Sequence, residues 1–357
     1  MTAGFEKKVE LPIYHYAVKF GYVTAQRLTE AIRELKGGGS TNSPTLVESD
    51  MGRRLAAIQM GGGTMIGAYR VHGELGRGAV GVVYKVEDTR SGAIRAMKVL
   101  VAGGSVDDRA RRRFEREFEA IRVLDHPSVV KVFDYGEFEG HPYYTMEFIQ
   151  GQTLDQMFQN GIDRLKHRAM SQLEPILDIL AHAIEGAGYA HAQSIVHRDI
   201  KPSNILVDSN GQVRLTDFGL AKKVDSGTYL TRTGDVVGTP HYMAPEQTQG
   251  ETGLIGPHTD TYAFGVLLYR VLTGRLPFDG DSSMELFHAI CETEPIPPRK
   301  LVPGIPADLE RVCLKAMAKE PRLRYSSAQE LADDLGRFLE GRPVLAVPPS
   351  GFYRLRK

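Results

Sequence analysis

Apolar and polar residues change rhythm along this chain. Between residues 22 and 36 (YVTAQRLTEAIRELK), Leu28, Ile32 and Leu35 recur at helical spacing, Thr24 offers an N-cap and Gly37 follows the end. That spacing predicts a helix. GGGSTNSPT then reads as a flexible polar stretch, and residues 52–60 (GRRLAAIQM) as a second short helix, ended by the glycines at 61–63. From Ile66 to about Asp134 the rhythm shortens. The runs YRVHGEL, VGVVYKVED and IRAMKVLV, rich in β-branched residues and separated by glycine or polar turns, predict strands. A charged helix from Asp107 to Leu124 interrupts them. After Gly151 the helical period returns, with apolar faces at Leu173–Tyr189 and Tyr262–Leu272. The expectation is an α+β chain: a small β-rich lobe, then a larger α-rich lobe, with a crevice between them suited to a small ligand. No internal repeat is visible.

Composition narrows the function classes. A length of 357 residues allows two or three domains at about 150 residues each. With 44 basic against 44 acidic residues, no global field draws the chain to nucleic acid or an anionic membrane, so any phosphate chemistry must be local. Two cysteines, Cys291 and Cys313, exclude a disulfide scaffold and a four-cysteine zinc site, and read as small buried core residues. The longest apolar run, Ala263–Leu272, is broken by Arg270 and falls short of the roughly 18 residues of a membrane helix. Glu6, Lys7, Lys8 and Glu10 have no apolar core behind them, so the N-terminus is not a secretory signal. The chain as given reads as cytoplasmic.

Candidate chemistry begins at Gly76-Arg77-Gly78-Ala79-Val80-Gly81-Val82-Val83. Glycines let backbone N–H groups approach phosphate oxygens. The same pattern opens dinucleotide-binding domains, but there a helix follows. Here a strand follows, which leaves a nucleotide phosphate flap or a plain glycine-rich hairpin. Lys98 ends a strand 17 positions after Gly81, and Glu117 lies 19 positions further on, in the charged helix. Paired, they would hold an ammonium against nucleotide phosphates. Glu115 and Glu119 face elsewhere on that helix. In His197-Arg198-Asp199-Ile200-Lys201-Pro202-Ser203-Asn204, Asp199 could accept a hydroxyl proton and Lys201 neutralise a phosphoryl group. Asn204 could bind a metal ion through its amide oxygen. Asp217-Phe218-Gly219 adds a second metal-binding carboxylate. Singly, each has an ordinary turn reading; together, in this order, they match the parts of the general protein-kinase template.

On these residues the chain resembles a Hanks-type, eukaryotic-like protein kinase, most closely the bacterial Ser/Thr branch. The resemblance implies a bilobal kinase fold over residues 66–341, with lobes 66–148 and 149–341. A helical extension with a Gly/Ser-rich linker (1–65) lies before it and a Pro-containing basic tail (342–357) after it. It implies ATP with Mg²⁺, for which Mn²⁺ would substitute, and a protein substrate carrying Ser or Thr. Implied catalytic residues are Asp199, Lys201, Lys98, Glu117 and Thr239; implied metal ligands are Asn204 and Asp217. The implied nucleotide site comprises Leu75, Gly76, Gly78, Gly81, Val83, Ala96, Lys98, Met146 as gatekeeper, Glu147 and Ile149 at the hinge, and Leu206.

Structural roles follow from the same resemblance. Asp260 buttresses the catalytic loop. Arg324 pairs with Glu246, in the Ala244-Pro245-Glu246 that closes the activation segment. Arg198 pairs with a phosphorylated loop residue, for which Thr231 and Thr233 are the candidates. His197 would pack beneath the loop rather than act as base or ligand. Lys201 and Gly238-Thr239-Pro240 favour Ser/Thr over tyrosine. Arg95-Ala96-Met97-Lys98 departs from V-A-I-K, and strand alternation points Arg95 away from nucleotide. A homodimer phosphorylating itself in trans, and membership of a membrane-anchored receptor kinase, are compatible with the resemblance. The rivals are a pseudokinase, which would lack one of Lys98, Asp199, Asn204 or Asp217, and a small-molecule phosphotransferase, which would lack the G-T-P…A-P-E segment.

Overall fold

Alternation in the first lobe resolves into a six-stranded antiparallel sheet in a computed structural model of the chain, which describes residues 64–78, 81–100, 108–160, 170–218 and 240–346. These lie in Asp50–Lys357, one of two units into which the chain divides; the other, Met1–Ser49, lies outside the described residues. So do the expected helices at 22–36 and 52–60. The strands are β1 (Met65–Ile66), β2 (Tyr69–Arg77), β3 (Gly81–Asp88), β4 (Ile94–Leu100), β5 (Val132–Phe138) and β6 (His141–Glu147), in the order β1-β2-β3-β4-β6-β5. Val82, Tyr84, Val86, Met97 and Val99 alternate onto one buried face. Ala96, Leu100, Tyr144 and Met146 join the main core.

That core includes helix α1 (Asp108–Ile121). Phe114, Glu117, Phe118 and Ile121 fall at i, i+3, i+4 and i+7 and are buried, whereas Arg112, Glu115 and Glu119 are exposed. Each buried Phe or Ile contributes about 1.5–3 kcal/mol relative to exposure. The helix stops at Ile121, short of the expected Leu124, because Leu124 N–H turns back to the Ile121 carbonyl at 2.9 Å.

The second lobe is helical, as the period predicts, but it also holds a three-stranded sheet. β7 (Gly151–Thr153) leads into α2 (Leu154–Gln159), where Thr153 and Gln156 form a capping box. After α3 (Met170–Ala192) come β8 (Ile205–Asp208) and β9 (Val213–Leu215), paired in the order β7-β8-β9. Then follow α4 (Pro245–Thr248), α5 (Pro257–Thr273), α6 (Ser283–Glu292), α7 (Pro298–Leu301), α8 (Ala307–Ala316) and α9 (Ala328–Leu339). The strands are too short, at three or four residues, to show period-two alternation in sequence.

α5 is buried along most of its length. Arg270, which interrupts its apolar run, stacks on the Phe158 ring at 4.3 Å and donates to Tyr242 Oη at 2.8 Å. Gly274, at φ 71°, ends the helix in the left-handed conformation that favours glycine. Cys313 is fully buried, as expected. Cys291 is not: near the end of α6 it is only partly buried, its Sγ 3.2 Å from Thr248 Oγ1. No helix of the described residues is long and apolar enough to cross a membrane.

Candidate active site

β2 and β3 form the hairpin that carries the glycine loop. The turn is closed by Gly78 N–H donating to the Gly81 carbonyl at 2.8 Å; Ala79 and Val80 lie outside the described residues. The three glycines differ physically. A Cβ on Gly81 would sit 2.2 Å from the Val99 carbonyl oxygen, so this glycine permits close strand approach. Among the described residues nothing lies within 4 Å of such a Cβ at Gly76, and at Gly78 only the Gly81 carbonyl does, at 3.9 Å. Those two line open space, which a phosphate could use.

Register brings the next residues onto one face. Lys98 of β4 pairs with Val83 of β3 and Tyr144 of β6, and Ala96 pairs with Met146. Arg95, on the opposite face, lays its guanidinium 3.6 Å from the Phe133 ring centre. Lys98 Nζ donates to Glu117 Oε1 at 2.8 Å and to Asp217 Oδ1 at 3.0 Å. Burial alone would lower the Lys98 pKa. The Asp217, Tyr144 and Glu117 groups outweigh it and hold the ammonium well above its usual range. Asp217 is the reciprocal case: burial opposes ionisation, but the Lys98 charge and hydrogen bond keep its carboxyl below the usual range. Glu115 is exposed and Glu119 pairs with Arg122, so neither competes for Lys98.

The β8–β9 hairpin sets Asn204 and Asp217 side by side. Ile205 pairs with Leu215, and Thr216 N–H donates to the Asn204 carbonyl at 3.0 Å. Asn204 thus stands just before one strand and Asp217 just after the other. Asn204 Nδ2 donates to the Asp199 carbonyl at 2.9 Å and to Asp199 Oδ2 at 3.2 Å, while Lys201 Nζ donates to the same Oδ2 at 2.8 Å. With its nitrogen so engaged, the Asn204 Oδ1, 3.4 Å from the Ser203 hydroxyl, is the end suited to a cation. Among the described residues no three or more His, Cys, Asp or Glu side chains gather to hold a metal ion.

Two residues here adopt left-handed backbone conformations that cost non-glycine residues about 1–3 kcal/mol each: Arg198 at φ 65° and Asp217 at φ 57°. Asp260, 1% exposed at the start of α5, holds the first in place. Its Oδ2 accepts from His197 N–H and its Oδ1 from Arg198 N–H, both at 2.8 Å. Burial pushes the His197 imidazole below its usual pKa. Its Nδ1 accepts from Asp199 N–H at 3.3 Å, so Nε2 carries the proton and donates to the Thr216 carbonyl at 3.0 Å. Its ring lies 4.4 Å from that of Phe218. Arg324 makes a two-pronged pair with Glu246 at 2.8 and 2.9 Å, both side chains almost fully buried.

At the hinge, Met146 is buried at 6% exposure, and Glu147 N–H donates to the Lys131 carbonyl at 2.8 Å. Residues 148–150, including Ile149, link the two sheets without belonging to a strand. Leu75, about half-exposed, flanks the glycine loop on β2, and Leu206 lies on β8. Gly219, Thr231, Thr233, Gly238 and Thr239 lie outside the described residues. A cleft beside the 197–204 loop is lined by Asp199, Ile200, Lys201, Tyr242, Met243 and Gln247.

Three contributors were not evident in the sequence. His191 Nε2 donates to Asp260 Oδ2 at 2.8 Å, with Ala328 N–H donating to its Nδ1. Gln247 Nε2 donates to the Arg198 carbonyl at 2.9 Å, tying α4 to the loop. The Tyr144 hydroxyl donates to Glu117 Oε1. Only for Tyr144 was a signal available: it lies two residues before Met146, hence on the same strand face.

The family model "Protein kinase domain" matches residues 69–335. A probable serine/threonine-protein kinase of Streptomyces coelicolor is 38% identical over 290 residues, covering 80% of this chain and 42% of that protein. Serine/threonine-protein kinase PrkC of Bacillus subtilis is 36% identical over 269 residues, covering 75% and 40%. The chain thus spans about two fifths of the length of these curated relatives. The crystal structure of the Mycobacterium tuberculosis PknI kinase domain is similar with a TM-score of 0.58 and 28% identity, covering 77% of this chain and 98% of that one. With three quarters of its length matched and a bilobal fold shared with that structure, the chain belongs to the protein kinase domain family.

Proposed function

We propose that the chain transfers the γ-phosphoryl group of ATP to Ser or Thr hydroxyls of a protein. The observation that supports this most is a pair of hydrogen-bonded groups, Glu117–Lys98–Asp217 and Lys201–Asp199–Asn204, with bonds of 2.8–3.2 Å, which the β8–β9 hairpin brings together by the backbone bond from Thr216 to Asn204. In this reading Gly76 and Gly78 lie over the phosphates and Lys98 meets the α- and β-phosphates. Val83, Ala96, Met146, Leu206 and the Glu147–Ile149 backbone enclose adenine. Asp199 orients the substrate hydroxyl and takes its proton as the oxygen attacks the γ-phosphorus and ADP departs. Lys201 neutralises charge on the moving phosphoryl group. Asn204 Oδ1 and Asp217 are the oxygen donors that would hold Mg²⁺, which neutralises phosphate charge when bound. Catalysis is then mainly positioning and electrostatics.

Arg198 Nε is buried without a partner among the described residues. A buried unpaired donor is costly, and a phosphorylated residue of the activation segment would satisfy it. We assign Thr231 and Thr233 as those residues, with autophosphorylation as the route. The test is radiolabel transfer from Mg-ATP to Ser-, Thr- and Tyr-containing peptides. Asp199→Asn is expected to lower kcat by about 10²- to 10⁴-fold. Undiminished transfer would remove Asp199 from its role. Peptide mass analysis of the same reaction would find phosphate at Thr231 and Thr233, and an active enzyme with neither modified would refute that assignment.

A further inference from the structure

Lys98 and Tyr144 are direct cross-strand partners on β4 and β6, so their side chains leave the same face of the sheet. Both reach one atom. Glu117 Oε1 accepts from Lys98 Nζ at 2.8 Å and from the Tyr144 hydroxyl at 3.0 Å. Glu117 is 2% exposed and Tyr144 1%. The Tyr144 ring packs against Phe114 and Phe118 of α1, with centroids 5.1 and 6.0 Å away. Burial, then the Glu117 carboxylate, raises the Tyr144 pKa well above its usual value, so the hydroxyl keeps its proton and donates.

The two donors are not equivalent. Lys98 divides its hydrogen bonds between Glu117 and Asp217, and its ammonium is a point charge on a flexible stem. A polyanionic ligand would add a third claim on that ammonium. The Tyr144 hydroxyl is fixed by a buried ring and carries no charge for a phosphate to attract. We propose that Tyr144 is a positioning residue: its hydroxyl anchors Glu117 to the sheet, so α1 stays seated while Lys98 is shared among Glu117, Asp217 and the nucleotide. An outward swing of α1 would strand a carboxylate oxygen and a phenol, both buried. The inference rests on the reading of this site as one for ATP.

Tyr144→Phe keeps the ring and deletes one oxygen. The first measurement is amide hydrogen exchange in the nucleotide-free protein, which needs no activity. Exchange across residues 108–121 is expected to accelerate about three- to tenfold, with residues 82–86 and 97–99 unchanged. No change, or equal acceleration of helix and sheet, would overturn the proposal. The second measurement is KM for ATP in the wild type, Tyr144→Phe, Glu117→Ala and the double variant. Tyr144→Phe is expected to raise KM about three- to tenfold, with a smaller change in kcat, and to add nothing once Glu117 is gone. Additive effects would overturn it. A wild type that transfers no phosphoryl group would refute the functional reading instead, and the exchange experiment would still decide the role of Tyr144.

Discussion

Individual residues in this site are held by few, specific partners. Glycine shows how sharply the demand differs between neighbours. Gly81 lies against the Val99 carbonyl, with 2.2 Å available to a Cβ, whereas no described residue lies within 4 Å of one on Gly76. Gly81→Ala is therefore expected to lower unfolding free energy in urea by about 1–3 kcal/mol, the range for overpacking. Gly76→Ala is expected to stay within about 0.5 kcal/mol of wild type, as for a surface change, and to act on KM for ATP instead. Equal stability losses would mean that both glycines serve packing. The G-x-G-x-x-G spacing marked all three positions, but could not separate these roles, because the Val99 carbonyl comes from another strand.

Elements are coupled by buried charges. α4 and the segment before α9 meet through Glu246 and Arg324, whose side chains are 2% and 0% exposed. Thr259 at the start of α5 also donates to Glu246 Oε1 at 2.8 Å. Removing one partner of such a pair leaves an uncompensated buried charge. Arg324→Ala or Glu246→Ala is expected to cost about 3–5 kcal/mol in urea denaturation. The double variant is expected to cost less than the sum of the two. Full additivity would show that the pair does not interact. The pairing was expected from family resemblance alone, since 78 residues separate its members and no local pattern links them. The β8–β9 hairpin escaped notice because its strands are three or four residues long, yet it sets Asn204 beside Asp217.

Across the whole molecule, acid should release what the buried carboxylates hold. In Glu246, burial opposes ionisation but the Arg324 hydrogen bonds and charge outweigh it; in Asp260, His191 and then His197 outweigh it. Both folded pKa values lie below the ordinary 4.5 and 3.8. Folding therefore favours the deprotonated forms. Their stabilisation is complete above the ordinary values and is lost as pH falls through the folded ones. Tm is expected to fall gently from about pH 6.5, where the buried His197 imidazole resists its proton, and more steeply below about pH 4.5 as these carboxylates protonate. Asp260→Asn is expected to have a lower Tm with a shallower slope in the lower range. An unchanged slope in that variant would exclude Asp260 as a source. The sequence by itself determined the order of the lobes, the long helices and the candidate chemical groups, because periodicity and short motifs are local properties. Only the tertiary structure decided that Lys98 sits between Glu117 and Asp217, that Asp260 holds two loop amides, and that Tyr144 shares an oxygen with Lys98. Those facts depend on strand register and helix seating, which arise from packing between residues far apart in the chain.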